Sequence, residues 1–421
     1  MPGLPATAPM FRYLRDAGIP YSRLHDVGGW MGQGLWVDIP NLFPDLDADE
    51  GDAENYDFAM TDALVGHLVE NGVEPYFRLG VSIENFAGAG FPAKRIRPPK
   101  DFAKWARVCE RVIRHYTEGW AGGYRHRMTY WEIWNEPENY EEIEKNCMWK
   151  GDFSSYVRFY GTVACHLKTN FPHLKIGGYG SCGFYAGAGA GQVKEANSSP
   201  RLEYFVQCAR RFLEEVRANG WPLDFFSFHS YSEAKEAVRQ VRFADALLKE
   251  HGFGPDRTER HFNEWLPHVG RESLGTAKQA AGIAAELIGL QNGPCDLACI
   301  YDARCSVGSY SPLFNPLTCT PHKAYSAFCA FNELRKRRTA VTVHSSDSDL
   351  WAAAARDAKG GALMLANDSD REIALTVEDC GLAFDSCAIT DADTDRKAMR
   401  DYPKALPPHS FLVATYVCKA E

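Results

Sequence analysis

The sequence lacks an excess of positive charge, and it lacks a long uncharged apolar segment. It contains 46 Lys and Arg residues against 55 Asp and Glu residues, which gives a formal net charge of -9. A chain with this charge repels phosphate backbones and anionic lipid surfaces, so we expect neither a nucleic acid nor a membrane as its partner. It contains no run of about 18 apolar residues, so no membrane-spanning helix is predicted.

Signals for export and for metal binding are also missing. The opening residues, MPGLPATAPMFRYLRDAG, have no basic start followed by an apolar core, so we expect a cytoplasmic protein. The 13 cysteines are scattered, and the closest pair, Cys295 and Cys299, has no further ligands at suitable spacing. His261 and His268 are not spaced like the pair on a metalloprotease helix. We therefore predict free cysteines, no metal and no cofactor, while the oligomeric state stays open.

The order of apolar segments predicts the fold. Short apolar strands alternate with amphipathic helices, a pattern typical of α/β proteins with parallel strands joined by helical crossovers. Eight strands are predicted, at residues 19–25, 34–43, 73–80, 128–134, 174–180, 223–229, 260–265 and 297–303. Eight is the number that closes a (β/α)8 TIM barrel, so this is the predicted architecture.

The pattern changes after the helix predicted at residues 321–338. From there, short alternating runs such as REIALTVE and FLVATYV are separated by polar turns, as in antiparallel sheets. We therefore predict two domains. Residues 1–338 form the barrel, and residues 339–421 form a small C-terminal antiparallel, β-sandwich-like domain.

Two glutamates stand where predicted strands end, which is where barrel enzymes carry their chemistry. The fourth strand runs into YWEIWNEP and ends at Asn135 and Glu136, and the seventh ends at Glu264 within NEW. Glycosidic bond cleavage requires two such carboxylates, one to protonate the leaving oxygen and one to attack or to activate water. A separation of about 5–5.5 Å implies retention and about 6.5–9.5 Å implies inversion, and the sequence leaves this distance open.

Glu132 shares a strand face with Glu136 because side chains alternate with a period of two. It would lie one layer deeper in the barrel. We interpret it as a hydrogen-bonded structural carboxylate.

The motifs at the strand ends resemble those of clan A glycoside hydrolases. WNEP ends the fourth predicted strand, SFHSY ends the sixth, and NEW ends the seventh. Within the clan, the sequence is most similar to glycoside hydrolase family 39. YSRLHD in the first strand, the segment around the third strand and the β-domain behind the barrel share this resemblance. It implies a retaining (β/α)8 enzyme whose substrate is an oligosaccharide or polysaccharide.

The resemblance also implies roles for single residues. Glu136 matches the general acid/base of the family, and Glu264 matches its nucleophile. Asn135 would bind the sugar's 2-hydroxyl, and Tyr231 would orient the nucleophile. Four further residues are expected to contact substrate: His25, His229, Trp265 and Tyr301. Tyr301 stands at the end of the eighth strand, where the clan usually has a tryptophan.

An exo-acting β-xylosidase-like enzyme is favoured. The alternatives are another clan A specificity, such as an arabinosidase, a galactosidase or an endo-glycosidase, and a catalytically inactive carbohydrate-binding protein.

Overall fold

The architecture is a nearly closed barrel of parallel strands. The structure is a computed structural model, and it describes residues 8–27, 36–83, 95–186, 199–306, 308–378 and 381–418. Seven strands pair in sequential order, all parallel, and the first returns to contact the last. They are β1 (Tyr21–Leu24), β2 (Glu74–Leu79), β3 (Tyr130–Ile133), β4 (Lys175–Ser181), β5 (Phe225–Ser230), β6 (Glu259–Trp265) and β7 (Leu297–Ile300). The predicted α/β barrel class is confirmed.

The strand predicted at residues 34–43 is wrong. Residues 34 and 35 lie outside the described part of the chain, and Ile39–Leu42 forms a short helix, α2. No strand comes between β1 and β2 in the described ranges, and the two pair directly from Tyr21 opposite Glu74. Pro40 explains the difference, because proline has no N–H for a sheet ladder and fits the first turn of a helix.

One helix precedes the first strand, and the others alternate with the strands or follow the last one. They are α1 (Ala8–Asp16), α3 (Ala59–Glu70), α4 (Phe102–Thr117), α5 (Phe153–Asn170), α6 (Pro200–Asn219), α7 (Ala234–Glu250), α8 (Ala277–Gln291) and α9 (Lys323–Arg337). Several begin at a capping side chain; Asp101, for example, accepts hydrogen bonds from two backbone N–H groups of α4. Among the residues that the structure describes, no helix is long and apolar enough to cross a membrane.

An antiparallel sheet follows the barrel. Its strands are β8 (Thr339–Val341), β9 (Leu350–Asp357), β10 (Gly360–Asn367), β12 (Ala383–Thr390), β13 (Lys397–Met399) and β15 (Ser410–Val417), in the order β13-β12-β15-β10-β9-β8. The short strands β11 (Ile373–Ala374) and β14 (Ala405–Leu406) form a separate pair.

Helix α8 joins this sheet to the barrel. All its residues from 279 to 290 are buried, as expected for a helix packed on both sides. Met364 and Phe411 of the sheet belong to the same apolar core as Ile283 of α8. The predicted division into two domains at residue 338 stays a prediction, because this core runs across that boundary.

Candidate active site

The backbone at the end of β3 turns sharply and aims Glu136 into the barrel mouth. Trp134 and Glu136 both have positive φ, at 72° and 43°, which is uncommon for residues with a side chain. The Glu136 N–H donates to the carbonyl of Gly180 at 2.9 Å. Backbone strain of this kind concentrates at functional sites.

Gly180 is required at its position. Its φ is +63°, and a Cβ added there would lie 3.2 Å from Asn135 Oδ1 and 3.3 Å from His229 Nε2. Glycine therefore allows β4 to approach the polar side chains of the two strands beside it.

The two predicted catalytic glutamates lie close to the same ring nitrogen of one histidine. His229 Nδ1 is 2.8 Å from Glu136 Oε1 and 3.9 Å from Glu264 Oε1. One oxygen of each carboxylate and a ring nitrogen of His229 all lie within 4.8 Å of one another. The nearest oxygens of the two carboxylates are therefore no more than 4.8 Å apart, a short approach between the two groups.

Both oxygens of Glu264 accept hydrogen bonds. Arg23 Nη1 donates to Oε2 at 2.9 Å, and the hydroxyl of Tyr231 donates to Oε1. Glu136 is held through Oε2, which accepts from Asn139 Nδ2 at 3.1 Å. Both carboxylates therefore have fixed orientations.

Arg23 joins the site to the barrel interior, and sequence reasoning missed it. Its Nε donates to Glu132 at 2.7 Å and its Nη2 to Asn135 at 2.5 Å, in addition to the bond to Glu264. The signal was present in the sequence: Arg23 and His25 share the inward face of β1 by the period-two rule.

Glu132 is the structural carboxylate that the strand pattern predicted. It is fully buried and accepts hydrogen bonds from Ser227 at 2.6 Å and Asn263 at 2.7 Å. Burial opposes its ionisation, but the charge of Arg23 and these hydrogen bonds outweigh burial and lower the pKa of Glu132.

His229 changes the expected proton distribution. From the sequence, the charge of Glu264 would raise the pKa of Glu136. Burial does favour the neutral acid, but the hydrogen bond and charge of His229 outweigh it and lower the pKa of Glu136. Burial lowers the pKa of His229, yet Glu264 and Glu136 together raise it above its ordinary value. Both shifts therefore favour a proton on His229 over a proton on Glu136 in the free protein.

Glu264 has the opposite balance to Glu136. Burial raises its pKa, and the charge of Glu136 raises it further, while His229 and Arg23 oppose the rise. The net direction is upward. In the free protein these directions are the reverse of those expected for an acid at Glu136 and an ionised nucleophile at Glu264.

Glu138, two residues after Glu136, is a buried carboxyl near the site. Its Oε1 accepts from Ser181 Oγ at 2.8 Å and from the Cys182 N–H at 2.9 Å. Burial is the largest influence, and it raises the pKa of Glu138 to about 7. The folded protein thus favours the protonated acid.

We expect Glu138 to make stability depend on pH. Its folded pKa exceeds the unfolded value, so its contribution is complete at low pH and is lost as pH rises through about 7. Relative to the Glu138→Gln variant, the free energy of unfolding of the wild type should fall by about 3 kcal/mol between pH 4 and pH 9. Urea unfolding across this range measures the difference. Exposed Glu142→Gln is the control, and a difference for Glu138→Gln that does not change with pH would contradict the assignment.

Most of the other predicted site residues lie around the two glutamates. His25 is buried, and Arg78 Nε donates to its Nδ1 at 3.1 Å. Burial, followed by the charge of Arg78, lowers the pKa of His25 well below its ordinary value, so His25 is neutral. Tyr301 donates to Asp26 Oδ2 at 2.7 Å, and its ring lies 6.3 Å from that of Tyr231.

Tyr310 completes an aromatic rim that the sequence did not reveal. Its ring centroid lies 5.2 Å from that of Tyr231 and 5.7 Å from that of Tyr301, and it is partly exposed. These three tyrosines are called the rim tyrosines below.

The prediction for Trp265 is corrected. Its side chain is fully buried and stacks with Phe262 and with Phe328 of α9, at centroid distances of 6.4 and 6.5 Å. Neighbouring residues of a strand point to opposite faces, so Trp265 points outward if Glu264 points inward. Trp265 packs between barrel and helix and offers no face to a sugar.

Comparison with known proteins gives the context of this site. The sequence model of Glycosyl hydrolases family 39 matches residues 17–257. A β-xylosidase from Geobacillus stearothermophilus is 25% identical over 207 residues, which cover 48% of this chain and 36% of that protein. The chain thus aligns with only about a third of the length of this relative.

Solved structures show the same fold. A glucosidase from Croceicoccus marinus superposes with a TM-score of 0.71 at 19% identity, over 97% of this chain and 92% of that one. A monomeric β-xylosidase from Caulobacter crescentus CB15 gives 0.65 at 15% identity, over 99% and 93%. The family match covers more than half of the sequence and confirms the resemblance in its motifs: the chain belongs to glycoside hydrolase family 39.

Proposed function

We propose that the protein is a retaining glycoside hydrolase that acts by double displacement. The observation that carries this proposal is the placement of Glu136 and Glu264, which have carboxylate oxygens within 4.8 Å of each other. An inverting enzyme needs about 6.5–9.5 Å between its carboxyl groups to admit a water molecule. The close pair favours direct attack by one carboxylate and a covalent intermediate.

Glu264 is the proposed nucleophile. Arg23 and Tyr231 hold its two oxygens, so it presents a fixed carboxylate to the anomeric carbon. Glu264 lies just beyond the stretch matched by the family model, so this assignment rests on the geometry and on the NEW motif.

Glu136 is the proposed acid/base, and His229 is its proton reservoir. The 2.8 Å contact lets the Nδ1 proton of His229 move to Glu136 Oε1, which produces the protonated acid beside an ionised Glu264. In the first step, Glu264 bonds to the anomeric carbon, the glycosidic bond breaks, and the Glu136 proton goes to the leaving oxygen. In the second step, Glu136 takes a proton from water, whose oxygen displaces Glu264 from that carbon.

The proposed substrate is the non-reducing end of a β-linked xylo-oligosaccharide, cleaved by exo action. Relatives named β-xylosidases support this choice, and a similar structure named a glucosidase makes β-glucoside the second candidate. The rim tyrosines supply apolar faces on which a sugar ring can stack. Arabinosidase, galactosidase or endo-glycosidase activity and a purely binding role remain the alternatives, and the cytoplasmic location stays a prediction.

A substrate panel tests this choice. Initial rates are measured on 4-nitrophenyl β-D-xyloside, β-D-glucoside, β-D-galactoside and α-L-arabinoside, and on xylotriose and polymeric xylan. We expect the highest kcat/KM on the β-xyloside and release of single xylose units from xylotriose. Faster cleavage of the β-glucoside would replace the proposed sugar, and cleavage of xylan into mixed oligomers would replace exo by endo action.

A further inference from the structure

Four potential metal ligands lie where the barrel adjoins the C-terminal sheet, and three of them have donor atoms within 4.8 Å of one another. Glu233 precedes α7 and His268 follows β6, while Asp368 follows β10 and His409 precedes β15. We call these four residues the junction cluster. None of them takes part in the reaction proposed above.

Three donor atoms of the junction cluster lie close to one point. His268 Nε2 is 2.9 Å from Glu233 Oε2 and 3.3 Å from Asp368 Oδ1, and the three residues have donor atoms within 4.8 Å of one another. A single N–H cannot point well at two carboxylates at once. Around a tetrahedral zinc ion with bonds of 2.0–2.2 Å, neighbouring donors are about 3.3 Å apart, close to these distances.

His409 is the fourth residue of the junction cluster and lies outside the group of three mutually close donors. Its Nδ1 is buried, has no hydrogen bond from any described residue, and lies 3.9 Å from Asp368 Oδ1. Its other nitrogen, Nε2, is 2.8 Å from Asp370 Oδ1. A carboxylate that fixes one ring nitrogen while the other is left free is the usual arrangement behind a metal-bound histidine.

Helix α8 carries a buried carboxyl one turn from its contact with the junction cluster. Glu286 of α8 is fully buried, and neither of its oxygens has a hydrogen-bond partner among the described residues. It lies one helical turn beyond Gly282, where an added Cβ would come within 2.8 Å of the His268 ring. Burial, followed by the charges of Glu233 and Asp368, raises the pKa of Glu286 well above its ordinary value, so Glu286 is a neutral acid and adds no charge to the junction cluster.

The donor atoms of the junction cluster suit a divalent ion. Glu233 and Asp368 each bring a carboxylate oxygen close to His268 Nε2. Imidazole nitrogen combined with carboxylate oxygen is a donor set that suits zinc.

We propose that the junction cluster binds a divalent cation of the zinc type, which ties the loops after β5 and β6 to the C-terminal sheet. A cavity of about 580 Å³, lined by Glu233, His268 and Lys278 among others, gives an ion access. The role is to stabilise the fold, and it is independent of the proposed hydrolase activity. The sequence expectation of no metal considered His268 only with His261, whereas its partners lie far away in the chain.

Metal titration of the full-length protein tests this proposal. Protein stripped with EDTA is titrated with Zn²⁺, Mn²⁺ and Ca²⁺ by calorimetry, and bound metal is counted by mass spectrometry. We expect one zinc per chain, a higher Tm with zinc, and weaker binding of calcium. His268→Ala and His409→Ala should each lower zinc affinity at least about tenfold, and Asp370→Asn about 10- to 100-fold.

Glu272→Gln is the matched control, because Glu272 lines the same cavity and lies outside the junction cluster. It should keep the wild-type zinc affinity. If an alanine variant does not fold, the zinc affinity of His268→Gln is measured instead. Asp370→Asn gives a further test, because this variant leaves all four residues of the junction cluster unchanged. Absence of stoichiometric zinc, or wild-type affinity in both histidine variants, would overturn the proposal and leave a protonated His268 bridging Glu233 and Asp368. Activity on glycosides does not enter this test, so its failure leaves the proposed function standing.

Discussion

Replacing Glu264 with alanine is expected to lower kcat/KM on the best aryl glycoside by at least about 10⁴-fold, a loss of the size seen when nucleophiles are removed from covalent catalysts. The variant lacks the oxygen that would bond to the anomeric carbon, and the hydrogen bonds of Arg23 and Tyr231 then have no carboxylate to orient. Initial rates measure the loss, and circular dichroism with Tm verifies the fold.

Azide can replace the missing carboxylate in this variant, so a new product would identify the role of Glu264. With azide in the space left by Glu264→Ala, an activated β-glycoside should give the glycosyl azide of inverted, α configuration, since one displacement replaces two. Glu272→Ala, at an exposed position after β6, should retain wild-type rates. Substantial turnover by the alanine variant without azide would show that Glu264 is not the nucleophile.

Replacing Glu136 with glutamine should affect substrates according to their leaving groups. The amide that the Glu136→Gln variant carries cannot act as the acid, so kcat/KM on xylobiose should fall by about 10²–10⁴-fold. A 2,4-dinitrophenolate needs no proton to leave, so kcat/KM on that glycoside should change by less than about tenfold. The second step still lacks its base, so a burst of dinitrophenol followed by slow turnover is expected by stopped flow.

The control for this comparison is Glu141→Gln, an exposed glutamate in the same loop. It should leave both substrates at wild-type rates and show no burst. An equal loss on xylobiose and on the dinitrophenyl glycoside would assign Glu136 another role, such as binding the sugar.

Much of the barrel could be predicted from the sequence, because parallel strands buried on both faces read as apolar runs separated by helical stripes. Seven of the eight predicted strands are present in the described chain. The exception, residues 34–43, has the apolar composition of a strand, but Pro40 fits the start of a helix, and composition alone did not reveal this.

The candidate site was predictable where it depends on strand ends. Glu136, His229 and Glu264 meet because parallel strands bring their C-terminal ends to one mouth. The predicted sugar contact of Trp265 was wrong because successive side chains of a strand point to opposite faces, and this alternation was not considered for β6. Arg23 was missed because the same alternation was not considered for β1. Contacts such as His268 with Asp368, 100 residues apart, depend on how the sheet packs on α8, which no local pattern encodes.

The central claim is double displacement by Glu136 and Glu264, and the anomeric configuration of the first product tests it most directly. Proton NMR of wild-type protein hydrolysing 4-nitrophenyl β-D-xyloside, recorded before mutarotation, should show the β-anomer of xylose appearing first. If the β-glucoside proves to be the better substrate, the β-anomer of glucose should appear first. The α-anomer appearing first would mean inversion and would contradict the mechanism drawn from the close carboxylate pair.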